Sequence, residues 1–333
     1  MPRLDAAAVR RRLGLREDHR ALLEELAAAG PPASPAALPG AAELPLLLRR
    51  LGVADQDAAA LTGALPSPDR TPEVWWLLER CHRRIVADLG GISPLPRWPP
   101  LPRHLGAAGR LFYAYVFLVA VPDVRAWHRR RGIPDDVSWA TLADFGRHLA
   151  VVRRLHGEPG ADPPTWLRNH FRGALYQLGR LQFCRSRLWY EQADLDRLGV
   201  GFRHGDPALD LHIPEAGPLA PDACDQALRS ARGFFPRHFP QERYQLVICT
   251  SWLLDDQLGA YLAPTSNIMR FQRRFRLLPG FDVEGDEDIL RFVFRRAAPT
   301  LDELPRRTSL ERAVVDHLRA GRHWKVRTGW FEL

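Results

Sequence analysis

Between Ala208 and Leu278 the spacing of the apolar residues switches from strand to helix and back, and this limits the folds open to the chain. Ala208–Ile213 alternates apolar and polar residues and is short, as a strand is. Pro214–Leu219 breaks it with turn residues. Asp222–Phe235 carries apolar side chains at helical spacing, with Asp222 and Asp225 placed where acids suit the helix dipole. Tyr244–Leu254 is a longer apolar run holding the β-formers Val247 and Ile248, which suits a buried strand. A further helical segment follows from Asp255.

The rest of the chain divides around this stretch. Its first half reads as short amphipathic helices at Leu4–Leu13, Arg16–Ala29, Ala41–Leu51 and Asp55–Leu61, separated by Pro/Gly clusters at 30–40 and 66–72. Thr71-Pro72-Glu73 opens a helix with a hydroxyl N-cap, a proline in the first turn and then an acid. That helix carries Val74, Trp75, Leu77, Leu78, Cys81 and Ile85 on its apolar side and ends near Gly90-Gly91. The segment 92–104 is too rich in proline for regular structure. Gly109–Arg131 reads as a buried helix that Pro122 kinks or breaks; its apolar core, Leu111–Val121, is too short to span a bilayer. Ser138 is expected to cap a helix from Trp139 to Leu155 with Leu142, Phe145, Leu149 and Val152 as its stripe. The turn-rich 156–164 then marks a boundary. Beyond it, Gly173–Tyr190 reads as a hairpin, Phe281–Arg296 as a strand, Ser309–Arg319 as a helix and the tail as a strand. The fold class is α+β, with a helical domain at 1–165 and a mixed sheet flanked by helices at 166–333.

The chain has 333 residues and a formal charge of +8, and of its 47 basic residues only Lys325 is lysine. With Ala, Leu, Pro and Gly also abundant, this composition reads first as codon bias and only weakly as a nucleic-acid footprint. Leu4–Leu15 imitates a short DNA-binding helix, yet no clear helix-turn-helix accompanies it. Four scattered cysteines form no C-x-x-C pair, so neither a zinc site nor a disulfide framework is indicated, and free thiols in a reducing cytoplasm are expected. The N-terminus is too polar for a secretory core, and no membrane association is expected. No G-x-S-x-G, H-E-x-x-H or strand-following G-x-G-x-x-G is present, which argues against an elbow hydrolase, a zincin and a dinucleotide fold.

Several side chains at the ends of the two strands carry possible chemistry. His212 suits a base, since histidine as a residue type changes charge near neutral pH, or is a strand-end histidine bonded to backbone. Glu215 is a base or a helix-start acid. Ser251 and Trp252 close the second strand and form a ligand wall or simply pack. Asp255 reads as a cap, Ser266 and Asn267 as capping residues, Tyr261 as a packed tyrosine and Cys249 as an inert small hydrophobe. Arg270, Arg273, Arg274 and Arg276 form a solvated face or a phosphate grip.

The order of elements in the second half resembles the cofactor-binding half of GNAT-type N-acyltransferases. The segments 212–219 and 249–275 are similar to those of two-part acyltransferases of actinobacteria, which join a helical N-terminal domain to a GNAT-like C-terminal domain. The resemblance implies acyl transfer from acyl-CoA (acetyl-CoA or longer) to a small amine or amino-acid-like acceptor by direct attack, with no metal. It implies that the gap between the two strands receives the pantetheine arm. Ile213, Gly217, Leu219 and Ala220 would hold the pyrophosphate through backbone N–H groups at a helix start. Trp252, Asn267, Arg270 and Arg274 would complete the CoA site, and the helical domain would wall the acceptor pocket. The turn departs from the family's glycine-rich pattern: Gly217 is its one glycine, Pro218 and Pro221 lack N–H groups, and Glu215 and Asp222 are acidic. Phe271, Arg274 and Phe275 stand where the family's thiolate-protonating tyrosine is sought, so Tyr261 or Ser266 would substitute for it; His212, Tyr261 and Ser251 are the catalytic candidates. A GNAT-shaped module that has lost CoA is the alternative reading.

Overall fold

The structure is a computed structural model that describes residues 4–28, 30, 36–94, 96–162, 165–295 and 300–333. Parts of the connections expected at 30–40, 92–104 and 156–164, and the end of the strand expected to reach Arg296, lie outside the described residues. The chain divides into two units, Met1–Leu175 and Tyr176–Leu333.

The first unit is built from helices because its apolar residues recur at helical spacing. The helix Pro72–Ala87 buries Val74, Leu77, Leu78, Cys81 and Ile85 as their spacing dictates, with Trp76 rather than Trp75 as the buried tryptophan. Thr71 precedes it but does not cap it: its hydroxyl donates to the Ser67 carbonyl. The helix Phe112–Arg130 runs through Pro122 without a break, and every residue from Phe112 to Val121 is buried in the core of this unit. With its lead-in from Arg103 it is long and apolar enough to cross a membrane by length and composition, a test that core helices also pass.

The expected helix at Trp139–Leu155 is instead two helices, Asp135–Leu142 and Asp144–His156. Ser138 lies inside the first of them, where its hydroxyl meets Nδ1 of the buried His128 at 2.6 Å. The helix starts earlier because Asp135 and Asp136 occupy its first turn. The stripe Leu142, Phe145, Leu149 and Val152 is buried as expected.

The second unit is organised by a mixed sheet of seven strands: β1 (Leu175–Leu178), β2 (Leu181–Arg187), β3 (Pro207–His212), β4 (Leu246–Ser251), β5 (Arg276–Leu277), β6 (Val283–Glu284) and β7 (Lys325–Glu332). The order is β1-β2-β3-β4-β7-β5, with β6 also on β7. The β2/β3, β4/β7, β5/β7 and β6/β7 pairs are antiparallel, and the central β3/β4 pair is parallel. A parallel pair needs a crossover, and the helix Pro221–His238 supplies it, with proline in its first turn and Asp222 beside its positive end. That helix buries Cys224, Ala227, Ala231, Phe234 and Phe235. Phe234 lies 4.9 Å from Tyr176 and Phe235 6.4 Å from Phe183, ring centre to ring centre.

The run expected as a strand at Phe281–Arg296 is mostly the helix Asp286–Phe294. Three acids fill its first turn, and Ile289, Leu290, Val293 and Phe294 meet one apolar cluster, a helical stripe that the β-rich composition masks. The helix Ser309–Arg319 carries a capping box between Thr308 and Glu311.

Candidate active site

β3 and β4 pair at Ala208/Leu246, Leu209/Val247 and Asp210/Ile248, and their pairing ends there. Beyond that point each strand stays with its outer neighbour. Leu211 and His212 remain opposite Phe183 and Gln182 of β2. Cys249, Thr250 and Ser251 remain opposite Gly329, Thr328 and Arg327 of β7. The carboxyl ends of the parallel pair therefore part.

The side-chain period of two decides what faces the opening. Asp210 and His212 share one face of β3, and Ile248 and Thr250 continue that face on β4. A cleft of about 330 Å³ lies there, lined by these four with Ser186, Arg187, Trp189, Tyr190 and Leu211. Thr250 and Thr328 join hydroxyls at 2.9 Å along its floor. Burial among apolar strand neighbours pushes the Asp210 carboxyl up to about 6, opposed by the Ser186 hydroxyl. A more open depression of about 440 Å³ lies at Asp282–Glu284 and His323–Lys325, away from the strand gap. Asp282 is paired there with Arg327 and His323 with Asp286.

At the carboxyl end of β3 the chain turns through 214–220 into the helix Pro221–His238. Arg180, in the β1–β2 turn, donates from Nε to the Pro218 carbonyl, from Nη1 to that of Pro214 and from Nη2 to that of Gly217, at 2.8–3.1 Å. Gly217 has a φ of +84°, a conformation that favours glycine. Three carbonyls of the turn are thus committed to one guanidinium. Glu215, whose charge opposes an anion in this turn, is ion-paired with Arg295 at 2.7 Å.

The structure brings together some of the residues singled out in the sequence and separates others. His212 lines the cleft; Ile213, Gly217, Leu219 and Ala220 form the adjoining turn, with Leu219 buried. Ser251 is on the opposite face of β4, where its hydroxyl accepts from the Leu253 N–H. Trp252 packs on the cluster containing Leu258 and Trp324. Tyr261 is in that cluster too, its hydroxyl held by His317 and Arg322, and is not among the cleft residues. Ser266 caps the helix Asn267–Gln272 by accepting from Met269 N–H, and Asn267 is exposed at its first position. Arg274 forms an ion pair with Asp225, while Arg270 is exposed on the same short helix. Asp255, fully buried, caps the next turn by accepting from Gln257 N–H at 3.0 Å. The four cysteines are buried and free, and burial pushes the Cys249 thiol far up.

Two residues of this site escape the sequence reading. Asp210 carries a signal: a carboxylate in phase with His212 in an otherwise apolar strand. Arg180 carries none, because only the fold brings the β1–β2 turn to the 214–218 carbonyls.

The parting of a parallel pair ahead of a turn into a helix start is the architecture of a GNAT-like acyltransferase. Residues 175–331 match the model of the GNAT-like C-terminal domain and residues 42–173 that of the N-acyltransferase N-terminal domain. Comparison with curated proteins returns no match. Among solved structures, an acyltransferase in complex with CoA and 10C-teicoplanin is 46% identical over 99% of this chain and 100% of its own, with a TM-score of 0.90. An acyltransferase in complex with decanoyl-CoA is 44% identical over the same shares, with a TM-score of 0.91. A mutant acyltransferase in complex with octanoyl-CoA is 46% identical over 99% and 100%, with a TM-score of 0.89. The chain belongs to this two-domain N-acyltransferase family. It is an acyltransferase that uses acyl-CoA, and the alternative of a module without CoA is set aside.

Proposed function

We propose that this enzyme transfers a medium-length acyl chain from acyl-CoA to an amine on a glycopeptide acceptor. The observation that carries the reading is the cleft at the β3–β4 opening, with His212 on its wall and the Arg180-held turn beside it. The chain lengths and the acceptor class are taken from the solved relatives, whose complexes hold decanoyl-CoA with teicoplanin and, in another, octanoyl-CoA. This replaces the small amine expected from the sequence with a larger acceptor.

Acyl-CoA supplies an activated thioester carbonyl. The protein's part is to place it and to manage protons. Gly217, Leu219 and Ala220 offer backbone N–H groups at the start of the helix Pro221–His238 to the pyrophosphate, with Ile213 at the entry to the turn; Trp252, packed on the Leu258 and Trp324 cluster, is left out of this set. Exposed Arg270 is offered to the 3′-phosphate, since Arg274 is held by Asp225, Arg273 donates to the Pro264 carbonyl and Arg276 stacks over Trp330. The amine must be neutral to attack, and His212 takes its proton. The C–N bond forms, the C–S bond breaks, and the departing sulfur takes up a proton.

Incubating the enzyme with decanoyl-CoA and a glycopeptide bearing a free amine tests this directly. A mass gain of one decanoyl group, matched by released CoA thiol, is the expected result. Acylation of simple amines with the glycopeptide untouched would remove the acceptor assignment. His212→Ala is expected to lower kcat about 10²–10⁴-fold, and full turnover in that variant would remove its role.

A further inference from the structure

Asp210 is the acidic group of the cleft, and the acyl transfer itself leaves it unemployed; the cation of the cleft, Arg187, donates to the Gly205 carbonyl at 2.8 Å. Asp210 is half-buried, and the fully buried carboxylates each face a cation. Asp57 meets Arg153 at 2.9 Å, Asp144 meets His170 at 3.0 Å, and Asp255 faces Arg327 at 3.6 Å. Asp210 forms no ion pair with a basic side chain among the described residues, and the Ser186 hydroxyl beside it favours its charged form. An unpaired carboxylate among strand residues costs folding free energy. It opens onto the cleft that holds His212, two residues further along the same face.

We propose that Asp210 is the anchor for the acceptor's ammonium group: it selects a positively charged primary amine and presents it to His212. The inference rests on amine acylation in this cleft. A carboxylate without a cation is a site for one, and the incoming ammonium is the cation that the reaction provides. The charged amine R–NH₃⁺ binds against Asp210 and gives one proton to the His212 imidazole. The neutral amine then attacks the thioester carbonyl. As C–N forms and C–S breaks, its surplus hydrogen leaves as the proton that ends on the CoA thiol. The imidazolium returns its proton to solvent. A neutral hydroxyl acceptor gains a hydrogen bond but no ion pair from the carboxylate, so the anchor favours the ammonium and acts as a specificity device.

The titratable groups around Asp210 are His212 on its own strand, Cys184 opposite it on β2, Arg187 and Tyr190 at the cleft, and Cys249 on β4. With its carboxyl held up to about 6, Asp210 is ionised at neutral pH.

Steady-state kinetics with decanoyl-CoA and the free-amine glycopeptide, on wild type, Asp210→Asn and Asp210→Glu, test the anchor. Asp210→Asn should raise KM for the amine about tenfold or more, the worth of one charge-assisted hydrogen bond. KM for decanoyl-CoA should stay put, and Asp210→Glu should recover part of the loss. In wild type, KM for the amine should fall as pH rises through about 6, and Asp210→Asn should abolish that dependence. An unchanged amine KM in Asp210→Asn overturns the anchor, as does a loss confined to kcat, which would make Asp210 the proton acceptor. If Asp210→Asn does not fold, Asp210→Glu and the wild-type pH dependence decide the same question. A wild type that acylates no amine ends the underlying reading and the anchor together, whereas failure of the anchor alone leaves an active wild type.

Discussion

The two faces of the sheet both hold a charged side chain among apolar neighbours, and they treat it oppositely. On the face covered by the helix Pro221–His238, Arg185 is buried, paired through Nε to Glu242 at 2.8 Å and stacked over Phe239 at 4.0 Å. Tyr244 donates a further hydrogen bond to Glu242. On the cleft face, half-buried Asp210 has the Ser186 hydroxyl beside it and no ion pair among the described residues. A buried charge whose partners are all supplied by the chain belongs to the scaffold. A half-buried one that opens onto a cleft without an ion pair is open to a cation brought by a ligand.

The largest effect should come from breaking the matched face. Arg185→Met leaves Glu242 uncompensated and should cost about 3–5 kcal/mol of stability, measured by thermal or denaturant unfolding. Adding Glu242→Leu should recover most of it. A single variant as stable as wild type would mean that the two faces do not differ as described.

Next comes the turn that Arg180 holds. Arg180→Met frees three carbonyls, and KM for acyl-CoA should rise about tenfold with kcat nearly kept. An acyl-pantetheine donor, which lacks the pyrophosphate, should show no such change; equal losses with both donors would detach Arg180 from the phosphate end.

The unmatched face gives a smaller effect of opposite sign. Burial raises the Asp210 pKa to about 6, above its unfolded value near 3.9, so the folded chain holds that proton more tightly. The stability this lends is complete below about pH 4 and is lost as pH rises through about 6. Asp210→Asn should therefore raise Tm at pH 8, by roughly 2–4 °C for each kcal/mol regained, and leave it unchanged at pH 4. A fall at pH 8 would contradict an unpaired charge at Asp210. The smallest effect belongs to a residue away from both faces: Tyr261→Phe gives up bonds to His317 and Arg322 and should cost about 1 kcal/mol or less, with turnover kept. Loss of turnover there would return Tyr261 to the reaction.

The crossover strand–helix–strand is legible because each element has its own period, and the buried strand Leu246–Ser251 needs no partner information to be found. The helix Asp286–Phe294 is hidden because Ile, Phe and Val crowd its one apolar stripe and imitate a strand; its acidic first turn is the cue against that. His212 is legible from its place at a strand end. Asp210 escapes notice because an acid in an alternating strand reads as the solvent phase until the fold shows a cleft on that side. Arg180 is beyond reach, since its role depends on a turn more than thirty residues away coming to it.

The slot between β3 and β4 is propped from outside, since β2 holds one wall through His212 and β7 holds the other through Ser251. A thioester entering it has no strand to peel away and little backbone to rearrange. Binding should slow hydrogen exchange at Leu211, His212 and Cys249–Ser251 while leaving β2 and β7 as they were.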